Sequence, residues 1–147
     1  MNIRLATLAD AEAMVEFNQA MALETEGKHL DTDVLRLGVT GVFSDPQKGF
    51  YVVAESGGEI AGGLMVTYEW SDWRNAWWWW VQSVYIRPAA RGQRIYSKLY
   101  DFVKERAVAD GAYGIRLYVE TENVHAQRVY EKVGMDRSPY FMYDEML

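Results

Sequence analysis

The chain has 147 residues, no cysteine and a formal net charge of −6, and half of its residues are hydrophobic. A length of this order suits one compact domain, and the apolar content excludes an intrinsically disordered chain. The lack of cysteine excludes disulfides, thiol nucleophiles and thiolate metal sites, and the negative charge argues against non-specific binding of nucleic acid.

The surroundings and partners of the protein are constrained by the same features. No segment approaches the roughly 20 apolar residues of a membrane span, and the first ten residues lack a signal peptide's basic start and apolar core. We therefore expect a single cytoplasmic domain over residues 1–147, with no membrane or nucleic-acid partner. Because His29 and His125 are the only histidines, we also expect no metal site. The negative charge favours cationic substrates.

The first predicted elements are a strand and two helices. A short strand is predicted for residues 2–6, and a helix should follow a capping box formed by Thr7 and Asp10. That helix should end near Gly27, because glycine permits a left-handed exit. A second helix is predicted for residues 33–43.

The middle of the chain predicts strands. Residues 50–55 and 59–70 read as a β-hairpin, because the pair Gly57-Gly58 supplies the positive φ angles of a tight turn. A long strand is predicted for residues 76–86, which include four consecutive tryptophans at 77–80. Successive strand residues point to opposite faces, so this strand should be central and covered on both sides.

The last third alternates helix and strand. An amphipathic helix is predicted for residues 93–110, and a strand for residues 115–119, where apolar and polar residues alternate. Asn123 is suited to cap a last helix. A final strand is predicted for residues 140–146, directly after Pro139, because proline donates no ladder hydrogen bond and suits a strand entry.

Two segments carry a resemblance to a known family. One reads Val84-Tyr85-Ile86-Arg87-Pro88-Ala89-Ala90-Arg91-Gly92, and the other reads Asn123-Val124-His125-Ala126-Gln127-Arg128-Val129-Tyr130-Glu131-Lys132-Val133-Gly134-Met135. Together with the element order β-α-α-β-β-β-α-β-α-β, they resemble the GNAT superfamily of acyl-CoA-dependent N-acyltransferases. The resemblance implies an α/β (α+β) fold: a mixed, mostly antiparallel sheet of about six to seven strands with helices on both faces.

The same resemblance implies a site for acetyl-CoA, the co-substrate. In the family, a loop of pattern Arg or Gln, any, any, Gly, any, Gly or Ala holds the diphosphate through backbone N–H groups. The backbone at the end of the central strand, at Val84 and Ile86 here, pairs with the pantetheine arm where this strand parts from its parallel neighbour. The implied acetyl-CoA residues are Val84, Tyr85, Ile86, Arg91, Gly92, Gln93, Arg94, Ile95, Tyr96, Ser97 and Asn123.

The loop departs from the family pattern at two positions. Arg94 and Tyr96 stand where glycine or alanine is usual. We expect both residues to be tolerated at ordinary helical φ and ψ angles with their side chains directed away from the ligand. Arg91, Arg94 and Lys98 are candidates to add charge-assisted hydrogen bonds to the phosphates.

The resemblance also implies roles in the reaction. Tyr130 would donate a proton to the departing thiolate, and Asn123 would bond the pantetheine or cap its helix. The reaction is direct attack of a neutral amine on the thioester in a ternary complex, so the amine also needs a route for its proton.

No residue of the central strand is suited to be the base. Many relatives carry an acid just before the Val84 position, whereas Gln82 and Ser83 stand there. The candidate acids elsewhere are Glu24, Glu26, Glu69 and Asp72, and a chain of water molecules is the alternative. For the acceptor, aromatic rings and carboxylates favour a cationic amine, and Arg74 leaves a carboxylate-bearing acceptor open. The candidate acceptor-binding residues are Glu24, Glu26, Trp70, Asp72, Trp73 and Gln82.

The sequence therefore predicts an N-acetyltransferase acting on a primary amine of a small molecule. The alternative is a catalytically weak CoA-binding module that serves as a sensor or interaction protein, because the loop lacks the small residues usual at positions 94 and 96 and the strand lacks an acid. A P-loop nucleotide site is opposed by the absence of its Gly-x-x-x-x-Gly-Lys pattern. A homodimer is the expected oligomeric state.

Overall fold

The computed structural model describes residues 1–147, which form two compact units, Met1–Leu117 and Tyr118–Leu147. In chain order the first unit contains β1 (Asn2–Leu5), α1 (Ala11–Glu26), α2 (Thr32–Ser44), β2 (Phe50–Ser56), β3 (Glu59–Ser71), β4 (Ala76–Ile86), α3 (Ile95–Ala109) and β5 (Gly114–Arg116). The second unit contains α4 (Val124–Lys132). Short 3-10 turns precede α1 at Leu8–Asp10 and α3 at Pro88–Ala90.

The entry into the first helix is organised by the buried carboxylate of Asp10. The predicted capping box is present, and the backbone N–H of Thr7 donates to Asp10 Oδ2 across 2.8 Å. Arg4 from β1 donates to both carboxylate oxygens, at 2.7 and 3.0 Å. These hydrogen bonds hold the pKa of Asp10 below its usual value, and those from Arg4 contribute most. They tie the first strand to the start of the helix.

The sheet has five strands in the order β1-β2-β3-β4-β5. Neighbours are antiparallel except for β4 and β5, which are parallel. The β2–β3 hairpin turns at Gly57 and Gly58, whose φ angles of 59° and 82° match the predicted turn. The predicted bounds of β4 are confirmed at both ends.

The expectation of six to seven strands is wrong. The predicted strand at residues 140–146 is not formed, and the side chains of Phe141 and Tyr143 are 88% and 93% exposed. A strand is stabilised by a neighbour that pairs with its backbone and by a surface that covers its side chains. No strand of this chain pairs with the segment, so its β-forming composition alone does not make it a strand.

Helices cover both faces of the sheet. On one face, α1 and α2 form a core cluster with the sheet, in which Phe17 of α1 lies with the strand residues Val53 and Tyr85. On the other face, α3 contacts all five strands, and its Arg106 guanidinium lies 5.9 Å from the ring centroid of Phe50. We call these the α1/α2 face and the α3 face. No helix is both long enough and apolar enough to cross a bilayer.

The second unit is built around α4. The side-chain oxygen of Asn123 accepts a hydrogen bond from the backbone N–H of Ala126 across 3.1 Å, so Asn123 is the N-cap. Gly134, with φ of 101°, follows the helix end. The predicted capped helix is thereby confirmed.

Candidate active site

The central strand β4 carries a bulge at Ser83. Gly63 pairs with Tyr85 and Met65 pairs with Gln82, so β4 advances by one more residue than β3 between these pairs. Ser83 adopts a left-handed φ of 51° at this point. An extra residue of this kind bends a strand and re-aims its backbone groups, a device common beside active sites.

Beyond this region β4 and β5 part. Their parallel pairing covers Trp78 to Trp80 against Gly114 to Arg116 and ends there. The later residues of β4 continue to pair with β3 but not with β5, which leaves one edge of their backbone available to a ligand. The expected separation of the parallel strands at their carboxyl ends is confirmed. Open α/β sheets hold ligands at this end of the strands.

The turn between β4 and α3 uses two left-handed residues. Gly92 has φ of 82°, and Arg94, the N-cap of α3, has φ of 58° and ψ of 30°. The expectation that Arg94 has ordinary helical angles is therefore wrong, because the turn enters α3 through a left-handed residue. A glycine would reach this conformation without steric cost. The turn leads to the first backbone N–H groups of α3, which have no partner within the helix.

Tyr96 lies in the first turn of α3 and is buried. Its ring centroid is 6.1 Å from that of Tyr100, one turn later in the same helix. The side chain thus packs into the protein, as expected from its tolerated position in the loop pattern, whereas Gln93 and Arg94 are exposed.

Arg91 is bonded within the protein. Its Nε donates to the backbone carbonyl of Ile86 across 3.0 Å, and its guanidinium donates to Glu24 across 2.9 Å. The guanidinium carbon also lies 5.5 Å from the ring centroid of Tyr85. Arg91 therefore fixes the turn against the end of β4 and the end of α1.

Glu24 joins the same network from the last turn of α1. Its second carboxylate oxygen accepts a hydrogen bond from the hydroxyl of Tyr85 across 2.9 Å. The hydrogen bonds from Arg91 and then Tyr85 lower the pKa of Glu24. Glu26, by contrast, is exposed and lies 3.9 Å from Lys28. Of the two acids predicted here, only Glu24 contacts residues expected to bind acetyl-CoA.

The other predicted acceptor residues do not converge. Trp70 packs against Trp77, with ring centroids 5.0 Å apart, on the α3 face. Gln82 lies on the α1/α2 face, opposite Met65, which packs against the core there. Asp72 accepts the backbone N–H of Trp73 in the β3–β4 turn, and Trp73 is 87% exposed. The structure therefore separates Trp70, Asp72 and Trp73 from Gln82.

A polar and aromatic cluster surrounds Gln82 on the α1/α2 face. Gln82 donates to the hydroxyl of Thr67 on β3. Glu69 follows Thr67 by two residues on β3. Its carboxylate accepts hydrogen bonds from the indole N–H of Trp80 at 2.9 Å and from Arg116 of β5 at 2.8 Å. The carboxylate of Glu69 thus spans β4 and reaches the last paired residue of β5.

The ring of Trp78 on β4 packs against two residues of β5. The guanidinium carbon of Arg116 lies 3.7 Å from the ring centroid of Trp78. A Cβ atom on Gly114 would come within 2.5 Å of the same ring, so only glycine fits this contact. These side chains hold the two strands together immediately before they part.

Sequence reasoning identified Gln82 and considered Glu69 in this cluster, but it missed the partners of both. The missed residues are Thr67, Trp78, Trp80 and Arg116. The available signal was a spacing of two residues, because residues two apart share a face of a strand. Thr67 and Glu69 have this spacing on β3, and Trp78, Trp80 and Gln82 have it on β4.

In the second unit, Tyr130 lies on α4 and is half-buried. Burial raises the pKa of its phenol above the ordinary value. No group of three or more histidine, cysteine, aspartate or glutamate side chains is arranged to hold a metal ion.

Parted parallel strands and a helix start beyond them are the features that the resemblance to N-acyltransferases implied. The sequence profile of the Acetyltransferase (GNAT) family matches residues 11–135. Since this match spans most of the sequence, the chain belongs to the GNAT acetyltransferase family and is an enzyme of the acetyltransferase class.

Three relatives show how far the similarity extends. A solved structure of a possible acetyltransferase from Clostridium difficile is 39% identical, covers 99% of this chain and 97% of that chain, and superposes with a TM-score of 0.92. An acetyltransferase of Agrobacterium fabrum is 26% identical over 137 residues, 93% of this chain and 85% of that protein. A mycothiol acetyltransferase of Brachybacterium faecium is 41% identical over 51 residues, which are 35% of this chain and 15% of that protein.

Proposed function

We propose that this protein transfers acetyl from acetyl-CoA to a primary amine of a small molecule, by direct attack in a ternary complex. The observation that carries the proposal is the one-sided pairing of β4 after Trp80, with the bulge at Ser83 and the start of α3 beyond it. Family membership supports acetyl-CoA as the co-substrate.

The described residues fit this co-substrate. The edge of β4 at Val84, Tyr85 and Ile86 that does not pair with β3 suits the amide groups of pantetheine, which can pair with it as an added strand does. The Ile86 carbonyl already accepts a hydrogen bond from Arg91. The turn at residues 91–97 offers backbone N–H groups and the positive end of the α3 dipole to the diphosphate. When bound, acetyl-CoA supplies an acetyl group activated as a thioester.

In this proposal Arg91 orders the turn, and the backbone of the turn holds the phosphates. The network of Arg91 with Ile86 and Glu24 fixes the path of the chain between β4 and α3. A turn held in one geometry loses less conformational freedom when a ligand binds. Arg94 and Lys98, both exposed, remain as the candidates for side-chain contacts with the phosphates.

Charge developing on the carbonyl oxygen would be stabilised by a backbone N–H near Val84, at the bulge. Donors fixed in advance stabilise such charge without reorganising during the reaction. Tyr130 would supply a proton to the leaving sulfur. A tyrosine phenol is protonated near neutral pH, as a proton donor must be, and burial raises the pKa of this one further. Asn123, whose side-chain oxygen caps α4, would contact the pantetheine through its amide nitrogen.

The acceptor would lie over the α1/α2 face, beside Gln82 and the carboxylate of Glu24. The lowered pKa of Glu24 makes it a weak base but a persistent negative charge, which favours an acceptor with a cationic group. The proton of the attacking amine would leave through water. The relative named for mycothiol supports a small-molecule acceptor.

A thiol-release screen tests this proposal. Purified protein is incubated with acetyl-CoA and with polyamines, amino acids, aminoglycosides or peptide N-termini, and products are identified by mass. The proposal expects acceptor-dependent thiol release and an acetylated amine, with cationic acceptors favoured. Binding of acetyl-CoA without release for any amine would instead support a CoA-binding sensor, and loss of binding would reject the site.

A further inference from the structure

A cavity lies on the α3 face, between the sheet and the end of α3. Its volume is about 260 Å³, and it is lined by three aromatic residues of the sheet and three residues at the end of the helix. They are Phe50, Tyr68, Trp79, Arg106, Ala109 and Asp110. We call this space the α3 cavity. Trp79 precedes Val84 by five residues on β4, so the cavity lies roughly 15 Å along the strand from the edge proposed for acetyl-CoA.

The sheet side of the α3 cavity is a continuous aromatic surface. Tyr68 and Trp79 pair across β3 and β4, and their ring centroids are 5.7 Å apart. The ring of Phe50 completes the surface, with its centroid 5.3 Å from that of Trp79. Pockets for small molecules are commonly lined by such rings, together with a few polar groups that orient the ligand. The α3 cavity therefore offers apolar contact to a hydrophobic part of a ligand.

The helix side of the cavity carries one positive and one negative charge. The guanidinium carbon of Arg106 lies 5.9 Å and 5.8 Å from the ring centroids of Phe50 and Phe102, which hold the side chain in place. Asp110 is the C-cap of α3, where the negative end of the helix dipole disfavours a carboxylate. Neither Arg106 nor Asp110 belongs to any ion pair of the chain. Both charges are thus available to opposite charges of a ligand.

The phenol of Tyr68 lies within reach of both charges. Burial raises its pKa, the negative charge of Asp110 raises it further, and the positive charge of Arg106 opposes the rise. The two charges therefore stand beside the same aromatic surface, one helical turn apart on α3. This arrangement matches a molecule that carries a carboxylate, an ammonium group and an apolar part.

We propose that the α3 cavity binds a free α-amino acid with an apolar side chain. The carboxylate of the ligand pairs with Arg106, its ammonium group pairs with Asp110, and its side chain covers the aromatic surface. A simple cation would be repelled by Arg106, and a simple anion would be repelled by Asp110. The volume is slightly below the range of about 300 to 1,000 Å³ that drug-sized ligands occupy, which suits a molecule as small as an amino acid.

Calorimetric titration of the full chain compares amino acids with analogues that lack one charge. The probes are L-phenylalanine, L-leucine, glycine, phenethylamine, which lacks the carboxylate, and phenylpropionate, which lacks the ammonium group. We expect L-phenylalanine and L-leucine to bind. Each analogue should bind at least roughly tenfold more weakly than L-phenylalanine, because one charge-assisted interaction is lost. Glycine should bind most weakly among the amino acids, because it leaves the rings uncovered.

Two charge variants assign the binding to the α3 cavity. Arg106→Gln should raise the dissociation constant of L-phenylalanine roughly tenfold without weakening the binding of phenethylamine. Asp110→Asn should have an equal effect on L-phenylalanine without weakening the binding of phenylpropionate. Lys104→Gln and Asp101→Asn make the same changes of charge at exposed positions of α3 outside the cavity, and these matched controls should bind as the wild type does.

Three results would overturn the proposal. The first is failure of both L-phenylalanine and L-leucine to bind at millimolar concentration. The second is equal binding of L-phenylalanine and phenethylamine, because Arg106 would then take no part. The third is binding that neither Arg106→Gln nor Asp110→Asn weakens, which would place the amino acid elsewhere on the chain. None of these results depends on acetyl-CoA or on turnover, so they are independent of the proposed function.

Discussion

The guanidinium of Arg91 donates to the carboxylate of Glu24 across 2.9 Å and so joins the turn before α3 to the last turn of α1. Arg91 begins the loop pattern associated with diphosphate binding, yet its side chain is bonded to Glu24 and to the carbonyl of Ile86. One ion pair therefore joins Arg91, expected to bind acetyl-CoA, to Glu24, expected to bind the acceptor.

Removal of either partner should weaken acetyl-CoA binding through the order of the turn. For Arg91→Ala and for Glu24→Ala we expect the dissociation constant of acetyl-CoA to rise by about two- to fivefold, as suits an exposed ion pair. Calorimetric titration of both single variants and of the double variant forms a double-mutant cycle. The double variant should bind about as well as either single one. If the two effects simply multiply, Arg91 acts on the ligand independently of Glu24.

Tyr130→Phe should lower kcat by roughly 100-fold or more, because general acid catalysis contributes on this scale. The dissociation constant of acetyl-CoA should stay within about twofold, since the variant retains the ring. Tyr140→Phe, an exposed tyrosine of the same unit, is the control for loss of a hydroxyl. Steady-state thiol release measures kcat, and an unchanged kcat in Tyr130→Phe would remove the acid role.

Arg94→Gly should stabilise the protein. The left-handed angles of Arg94 carry a steric cost that glycine avoids, so the free energy of unfolding should rise by about 0.5 to 1 kcal/mol after the entropic cost of glycine. Arg94→Ala is the matched control, because alanine lacks the guanidinium but keeps the Cβ atom. Urea denaturation compares the three proteins. Equal stability of the glycine and alanine variants would contradict a strained residue at this position.

Asp10 should contribute to the acid sensitivity of the fold. Its pKa is lower in the folded chain than in the unfolded one, mainly because of the hydrogen bonds from Arg4. Its stabilising contribution is therefore complete above the unfolded pKa, about 3.9, and is lost as the pH falls through the lower, folded pKa.

Asp10→Asn should lower the free energy of unfolding near pH 7 by about 1 to 2 kcal/mol, because Arg4 loses one of its two charged partners in a part-buried ion pair and keeps Glu55. The variant should also lose less stability than the wild type as the pH drops below about 4. Denaturation curves between pH 2.5 and 7 (a range set by that pKa of about 3.9) measure both effects. Glu59→Gln, an exposed carboxyl at the start of β3, should leave the pH dependence unchanged; parallel curves for the wild type and Asp10→Asn would contradict the role of Asp10.

The parts of the fold that local chemistry determines were predictable from sequence. The paired glycines located the β2–β3 turn, Asp10 and Asn123 located helix starts, and the apolar run of β4 gave its bounds. The strand at residues 140–146 was wrong because composition describes a strand's surface but does not supply its neighbour.

The site itself depended on contacts that no local pattern encodes. Glu24 meets Tyr85 and Arg91 at separations of 61 and 67 residues, and Glu69 meets Arg116 at 47. The left-handed angles of Arg94 follow from the need to close a turn onto α3, whereas residue type alone predicts a helical conformation. The family resemblance predicted the backbone segments of the co-substrate site, whereas the side chains around those segments depend on the folded chain.

Hydrogen exchange with and without saturating acetyl-CoA reports which backbone amides the co-substrate covers. We predict slower exchange in its presence at residues 84–86 of β4 and at residues 92–97 of the turn and first turn of α3. Acetyl-CoA that binds while both segments exchange at unchanged rates would contradict the proposed cleft between β4 and β5.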